Sequence, residues 1–497
     1  MEAIFYKMLD DNQLKRSMNI LEMLHKAKQA VTIKELEGKL KISKKTVFST
    51  LEYIKTLLPP TISVTVTDKD VWIQHYDTAQ TIEGYIIEIA KSTIQYRVLK
   101  HVFYNGKMSI RDLAEHLYIS ESSLRLRIKH MNKVLSLFRL SISFYDVQLI
   151  GDETNIRYFF YAYFSEFQEL FIAACEPKLQ HFTNLYSKMR EMMLPFDDKP
   201  LHFSYQQIIR WLFIIRDRME LGNFVRVNTA LAKRIKARAS YDVFKRIYET
   251  EMGRDLAAAM PESEIIWAYI VQYNSIVYSD NQSMKLFQDD PDIVSLKRKS
   301  VGFLRGVAAK MKICDSDKER FIAIHTAFLI NLSLLEEVLP IFQQGYDPVQ
   351  KRVLENLEPQ YLVWEKCLKC LRKEEISFMS NTRSMAAQLA MISSQFFYTQ
   401  ENQAERILYS FEGEAGFSTY LEAMAKTLLP KGVEGVFIYD EPINSAAIQR
   451  IKPDVFVCNY KLQEEAIGCK VLRMSHEPLM HEWTFLKELI INKDASA

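Results

Sequence analysis

The sequence predicts a mainly α-helical, multidomain protein that ends in a small α/β domain with a parallel sheet. Three observations lead to this prediction. At 497 residues the chain is too long for a single hydrophobic core. Gly and Pro are scarce, at 14 each, which favours long helices over hairpin-rich β architecture. Apolar residues follow a helical period over most of the chain, and strand-like runs alternate with helices only towards its C-terminal end.

The N-terminal region contains a repeat. Residues 31–58 align with residues 108–135, and in each copy the apolar spacing predicts a short helix, a tight turn and a longer helix. Ser43 and Ser120 are the predicted N-caps of the longer helices. This order predicts two helix-turn-helix units, in which the second helix enters the DNA major groove and the first supports it. The identical pairs are Ile33 and Ile110, Leu36 and Leu113, Leu40 and Leu117, Ile42 and Ile119, and Ser43 and Ser120.

A β-hairpin is predicted directly after each copy. Apolar residues alternate in 61–75 around a turn at Thr67–Asp70, and again in 140–151 around a turn near Tyr145–Asp146. A hairpin in this position is the wing of a winged helix. The prediction for the N-terminal region is therefore a pair of tandem winged helix-turn-helix domains.

The exposed faces of the two longer helices carry cationic and hydroxyl side chains. Such side chains contact base edges or phosphates in DNA complexes, although scattered Lys and Arg also occur on any solvated helical face. Residues 1–150 hold 22 Lys and Arg against 16 Asp and Glu, and two copies in register favour duplex DNA as the partner. The predicted DNA-binding residues are Lys44, Lys45, Thr46, Ser49, Thr50 and Tyr53 in the first copy and Ser122, Ser123, Arg125, Arg127, Lys129 and His130 in the second.

The segment from about 152 to 395 is predicted to be helical, in two blocks of similar size. Its most apolar stretch, 321–342, contains a histidine, an asparagine and two glutamates, which fits a buried helix better than a membrane span. Six scattered cysteines predict a reducing cytoplasm without a disulfide framework. Cys367 and Cys370 have zinc-ligand spacing, but no second ligand pair lies nearby, so neither a metal nor another cofactor is predicted.

The C-terminal 95 or so residues change to strand–helix alternation. Strands joined by helices predict a small parallel sheet. The predicted strands are 406–411, 435–440, 454–460 and 469–475, with helices at about 418–429 and 478–493.

The segment 147–164 joins the second hairpin to the helical region. A strand here leads into a helix through a Leu, Gly and Glu pattern followed by Ile, Arg and Phe. With the domain order, this segment resembles the Mga/AtxA family of bacterial virulence transcription regulators. The resemblance implies two helical-bundle domains like PTS-regulation domains, named for the sugar phosphotransferase system, and a tail like an EIIB component of that system. The matching residues are Leu149, Gly151, Glu153, Ile156, Arg157 and Phe159.

The resemblance also sets the predicted domain boundaries. They are 1–78 and 79–151 for the helix-turn-helix domains, 152–280 and 281–400 for the PTS-regulation-like domains, and 401–497 for the EIIB-like domain.

The function implied by the resemblance is that of a cytoplasmic, DNA-binding transcription regulator. It would activate virulence or carbohydrate-linked genes and be tuned by the phosphotransferase system through histidine phosphorylation. Its partners would be double-stranded promoter DNA and the PTS phosphocarrier proteins, and it would not associate with a membrane. The C-terminal region would support a homodimer. His202 precedes a predicted helix and is the candidate phosphorylation site, with an ordinary surface histidine as the alternative. His325 lies in an apolar run and is predicted to be buried.

Two other classes of function stay open as alternatives. One is a phosphotransferase, but where EIIB components carry their phosphoryl-accepting cysteine this chain has Ser410 and Phe411, and Glu412 and Glu414 add negative charge. The sequence also lacks the P-loop, HExxH and Gly-x-Ser-x-Gly motifs, so no enzyme is predicted. The other is an RNA-binding antiterminator, whose small N-terminal β domain does not match the helical start of this chain.

Overall fold

The computed structural model describes residues 4–27, 30–75, 82–104, 107–166, 175, 178–193, 202–253, 259–278, 291–338, 353–354, 356–370, 382–397, 405–428, 433–462 and 469–491. The chain divides into two compact units. The first unit contains the residues up to 151 together with 457–461 and those from 471 onward, and the second contains 152–456 and 462–470. The five predicted domain boundaries stay predictions.

The first unit contains both predicted helix pairs, each followed by its predicted hairpin. Strand β3 pairs with β1 and β2 in an antiparallel sheet, and β4 pairs with β5. The elements within residues 4–75 are α1 (Ile4–Met8), α2 (Asn12–Lys26), β1 (Val31–Thr32), α3 (Ile33–Leu40), α4 (Lys44–Leu57), β2 (Ile62–Val66) and β3 (Asp70–His75). Those within residues 82–150 are α5 (Ile82–Lys91), α6 (Ile94–Tyr104), α7 (Ile110–His116), α8 (Glu121–Leu135), β4 (Ser141–Ile142) and β5 (Leu149–Ile150).

The turns between the paired helices have the same backbone geometry in both copies. Lys41 and Tyr118 occupy equivalent positions, and both adopt the left-handed region, with φ of 54° and 58°. The predicted N-caps are confirmed. The Ser43 hydroxyl accepts a hydrogen bond from the Thr46 amide at 3.3 Å, and the Ser120 hydroxyl accepts one from the Ser123 amide at 3.2 Å. Each cap satisfies a backbone donor that the helix itself leaves unpaired.

The second unit begins with a region of packed helices. Its longest apolar helix is buried, as predicted. The stretch Asp315–Val338 is long and apolar enough to cross a membrane, but 78% of its most apolar window lies inside the unit, as in the core helix of a globular protein. The helices are α9 (Glu153–Glu166), α10 (Leu179–Met193), α11 (Tyr205–Glu220), α12 (Thr229–Lys236), α13 (Ala239–Met252), α14 (Glu262–Val271), α15 (Pro291–Lys310), α16 (Lys318–Val338), α17 (Glu358–Cys370) and α18 (Thr382–Ser393).

A buried ion pair connects α9 to α14. The Arg157 guanidinium donates to both carboxylate oxygens of Glu264, at 2.7 and 3.0 Å, and neither side chain is exposed to solvent. Its remaining donors contact Glu153 at 3.0 Å and the carbonyl of Asn223 at 2.9 Å. All three guanidinium nitrogens are therefore hydrogen-bonded, which is the condition under which a buried charge is tolerated.

The predicted strand–helix alternation is confirmed at the C-terminal end. The four strands form one sheet in the order β7-β6-β8-β9, and β6 and β7 are parallel. The helix after β6 begins at Ala415, three residues before the predicted start. The elements are β6 (Glu405–Ser410), α19 (Ala415–Leu428), β7 (Val433–Phe437), α20 (Ser445–Ile451), β8 (Val455–Cys458), β9 (Lys470–Arg473) and α21 (Met480–Ile491).

Within the first unit, residues from the two ends of the sequence meet. The His25 imidazole lies 2.9 Å from the Ser475 hydroxyl. Its ring also packs edge-on against His481 of α21, with ring centroids 5.4 Å apart. The first unit is thus discontinuous in sequence.

Candidate nucleic-acid interface

Helix α8 presents one exposed stripe along its length. Ser122, Leu126, Lys129 and Lys133 are all exposed and follow a spacing of four, three and four residues, so they lie on one helix face. Leu124, Ile128 and Met131 lie on the opposite face and are fully buried. Arg125 flanks the stripe and donates to Glu121 at 2.6 Å. An exposed face with Lys, Arg and a hydroxyl can reach both phosphates and base edges.

Two predicted DNA-contact residues of α8, Arg127 and His130, make contacts within the first unit. The Arg127 guanidinium donates to the Asp10 carboxylate at 2.7 Å, and Gln95 donates to that carboxylate as well. His130 Nε2 lies 3.1 Å from the carbonyl oxygen of Lys7. Both side chains are half-buried on this flank. Arg127 and His130 are therefore engaged beside α1, away from the exposed stripe.

In the first copy, the corresponding face of α4 is less basic. Lys44, Lys45 and Ser49 are exposed, as the prediction requires, whereas Thr46 and Tyr53 are half-buried. The equivalent stripe is Lys45, Ser49, Glu52 and Thr56, in which Glu52 stands where the second copy has Lys129. Glu52 accepts a hydrogen bond from Lys55 at 2.7 Å. The second copy thus carries the more cationic surface.

The prediction that Thr50 lies on the exposed face is wrong. Its exposed fraction is 1%, and its hydroxyl donates to the carbonyl of Thr46 at 2.7 Å. Thr50 is three residues after Val47 and four before Ile54, which places it at the edge of the buried stripe of α4. Sequence reasoning overlooked Lys133, although it follows Lys129 by four residues, which is the signal for a shared face.

His202, the candidate phosphorylation site in the second unit, lies close to Asp440. Its imidazole is exposed, and Nδ1 is 3.8 Å from the Asp440 carboxylate. Arg190 pairs with the same carboxylate at 2.6 Å. Burial alone would raise the pKa of Asp440, but the neighbouring His202 imidazole and the charge of Arg190 lower it below its usual range.

His325 is buried, as predicted. Its exposed fraction is 0%, and its ring nitrogens lie 2.8 Å from the Phe321 carbonyl and 3.0 Å from the Ser393 hydroxyl. The ring also stacks on Trp364. Burial lowers the pKa of His325 to about 4, so the imidazole is neutral at physiological pH. A phosphoryl donor cannot reach a side chain enclosed in this way.

The loop after β6 does not present the negative charges that its sequence predicts. Glu412 is buried and forms an ion pair with the buried Arg210. Glu414 is half-buried, burial of its carboxyl raises its pKa to about 8, and Gln388 donates to it at 3.1 Å. Both carboxyl groups therefore belong to the interior of the second unit, which corrects the interpretation of a negatively charged loop surface.

The two cysteines of the C-terminal region are poorly suited to nucleophilic attack. Cys458 is buried and Cys469 is half-buried. Burial raises the pKa of the Cys469 thiol, which leaves less of the reactive thiolate. Among the described residues, no three His, Cys, Asp or Glu side chains lie close enough together to hold a metal ion.

The paired helices, the wings and the cationic stripe define a helix-turn-helix protein. Residues 79–164 match the family model described as the Mga helix-turn-helix domain. The matched segment extends from α5 to α9 and contains the exposed stripe. The resemblance to Mga/AtxA-like regulators is confirmed by this match and by the relatives that follow.

The chain is similar to three bacterial regulators. It is 24% identical to a protein of Streptococcus pneumoniae serotype 4 named as a trans-acting regulator, over 70% of each chain. It is 20% identical to the capsule synthesis positive regulator AcpB of Bacillus anthracis, over 83% of this chain and 86% of that protein. It is 22% identical to the capsule synthesis positive regulator AcpA of the same organism, over 55% of this chain and 56% of that protein.

Proposed function

We propose that this protein is a cytoplasmic, DNA-binding transcription regulator that activates virulence or carbohydrate-linked genes. The observation that carries the proposal is the exposed stripe of α8, which lies inside the Mga-like helix-turn-helix segment. The names of two relatives, positive regulators of capsule synthesis, support activation over repression. Lys44, Lys45 and Ser49 of the first copy are proposed as additional DNA contacts.

Removing the cations of the α8 stripe is expected to weaken duplex binding. Each Lys that neutralises a phosphate releases a counterion. The double variant Lys129→Ala with Lys133→Ala is therefore expected to make the slope of log affinity against log salt concentration shallower by about 2. Lys299→Ala changes an exposed cation of the second unit and serves as the matched control. Fluorescence anisotropy of the full chain on a labelled promoter fragment, at several salt concentrations, measures both quantities.

The same measurement separates the alternatives. Equal affinity of the double variant and the wild type would contradict the proposed interface. Preferential binding of an RNA hairpin over the duplex of the same sequence would instead support the antiterminator alternative.

We further propose that the helical region contains two PTS-regulation-like domains and that His202 is a target of the PTS phosphocarrier proteins. The support is the exposure of its ring and the neighbouring Asp440 and Arg190. A phosphoryl group adds about −1.5 to −2 charge, which repels the Asp440 carboxylate and attracts the Arg190 guanidinium. Phosphorylated His202 would therefore replace Asp440 as the ion-pair partner of Arg190.

Incubation with the phosphocarrier proteins and phosphoenolpyruvate is expected to place acid-labile phosphate on His202. His202→Ala removes the label, whereas His325→Gln retains it, because the buried ring is inaccessible. Label that persists in the His202 variant would remove this residue from the regulatory scheme.

The tail is proposed as an EIIB-like assembly module that supports a homodimer without phosphotransfer activity. The buried Ser410 and Phe411 at the position of the nucleophile support this proposal. Met480 and Phe485 of α21 are exposed apolar side chains, at 39% and 44%, and provide surface for such contacts.

A further inference from the structure

Five large apolar side chains among the described residues of the second helix-turn-helix unit are exposed, and three of them lie in its turn, on its longer helix and at its hairpin tip. Tyr118 is 90% exposed in the turn before α8, Leu126 is 67% exposed on the stripe of α8, and Tyr145 is 86% exposed at the tip of the β4–β5 hairpin. These are the turn, the recognition helix and the wing of one winged-helix unit. Several exposed large apolar side chains in one small unit indicate an interaction site, whereas single exposed apolar residues are common.

The first copy provides an internal comparison. The residues 77 positions earlier are Lys41, Ser49 and Asp68, and all three are exposed as well. The first copy thus forms the same turn, helix and hairpin with polar side chains at these positions. Folding does not require apolar residues there, so the apolar residues of the second copy point to contact with a partner.

The surroundings of Leu126 indicate which partner this is. On the stripe, Leu126 lies between Ser122 and the cationic pair Lys129 and Lys133. A Lys can neutralise a phosphate on the groove edge, while an apolar side chain on the same helix face meets the floor of the major groove. The one apolar group that the major groove offers there is the 5-methyl of thymine.

We propose that Leu126 packs against thymine methyl groups in the major groove, so that the second helix-turn-helix unit selects duplex sites with thymine at the contacted positions. This inference rests on the proposed DNA-binding function. It adds a specificity-determining contact to the charge-based binding of the two lysines. Tyr118 and Tyr145 add apolar surface to the same unit.

The test uses two duplexes that differ only in the thymine methyl. One is an A·T-rich 30-base-pair probe of mixed sequence, and the other is the same probe with every thymine replaced by deoxyuridine. The full-length wild type is expected to bind the deoxyuridine probe about threefold to fivefold more weakly for each methyl that it contacts. Leu126→Ser, which introduces the residue of the first copy, is expected to bind both probes equally.

Leu137→Ser is the matched control, since it makes the same replacement at an exposed leucine beyond the end of α8 and is expected to keep the wild-type preference. Loss of fold does not complicate the Leu126 variant, because the side chain is 67% exposed, and circular dichroism checks this point.

Three results would overturn the inference. The first is a wild type that binds duplex DNA without preferring thymine, and the second is an equal preference in the wild type and Leu126→Ser. The third is a change of mass by light scattering in Leu126→Ser with the thymine preference intact, which would assign this face to contacts between chains. Failure of every duplex to bind at low salt would instead reject the DNA-binding function itself, and the inference with it.

Discussion

Replacing Arg157 by methionine is expected to lower the free energy of unfolding of the second unit by about 3–5 kcal/mol. The variant leaves the carboxylate of Glu264 buried, with the Val225 amide as its donor at 2.5 Å. It also removes the hydrogen bonds of Arg157 to Glu153 and to the carbonyl of Asn223. Chemical denaturation followed by tryptophan fluorescence measures the loss, with Trp267 lying 5.1 Å from the Arg157 guanidinium.

Two comparisons show whether the pair itself is responsible. Arg111→Ala breaks an exposed ion pair with Glu115, whose side chains are 79% and 69% exposed, and is expected to cost less than about 1 kcal/mol. The double variant Arg157→Met with Glu264→Met removes both charges and is expected to recover much of the loss. If the single variant Arg157→Met lost no more stability than Arg111→Ala, this result would contradict a structural role for the buried pair.

The stability of the second unit is expected to fall by about 3 kcal/mol as the pH drops from 6.5 towards 4, through His325 alone. The pKa of His325 is about 4 in the folded chain and about 6.5 when unfolded, so the unfolded state takes up the proton first. Stability from the neutral ring is complete above about pH 6.5, falls as the pH drops from the unfolded pKa towards the folded pKa, and is fully lost below about pH 4. Denaturation curves at pH 6.5 and 4.5 measure the loss.

His325→Phe isolates this contribution, because phenylalanine can stack on Trp364 but cannot titrate. Carboxylates titrate in both proteins, so the informative quantity is the difference between their pH slopes. Wild type and variant losing stability in parallel between pH 6.5 and 4.5 would contradict a lowered pKa of His325 in the folded chain.

Sequence patterns predicted the features that local spacing determines. The helix pairs, the hairpins and the caps at Ser43 and Ser120 depend on residues within a few positions of one another, and these predictions are confirmed. The burial of His325 followed equally well from the apolar run around it.

The errors concern contacts between distant residues or positions at the edge of a helix face. Thr50 borders the apolar stripe of α4, where the helical period alone does not decide between burial and exposure. Arg127 pairs with Asp10, 117 positions away, and Glu412 pairs with Arg210 about 200 positions away. No periodic pattern carries such long-range information. The sequence therefore does not distinguish a charged side chain that is paired within a unit from one that is accessible to a ligand.

The discontinuity of the first unit has a consequence for the order in which the protein matures. Ser475 follows its neighbour His25 by 450 positions. A ribosome that adds roughly 5–20 residues per second needs about 20–90 s to synthesise the chain between them. During that interval the N-terminal helices are already outside the ribosome while the segment that completes their unit does not yet exist. Final assembly of the first unit therefore waits until Ser475 and its neighbours have been synthesised, however fast the local helices form.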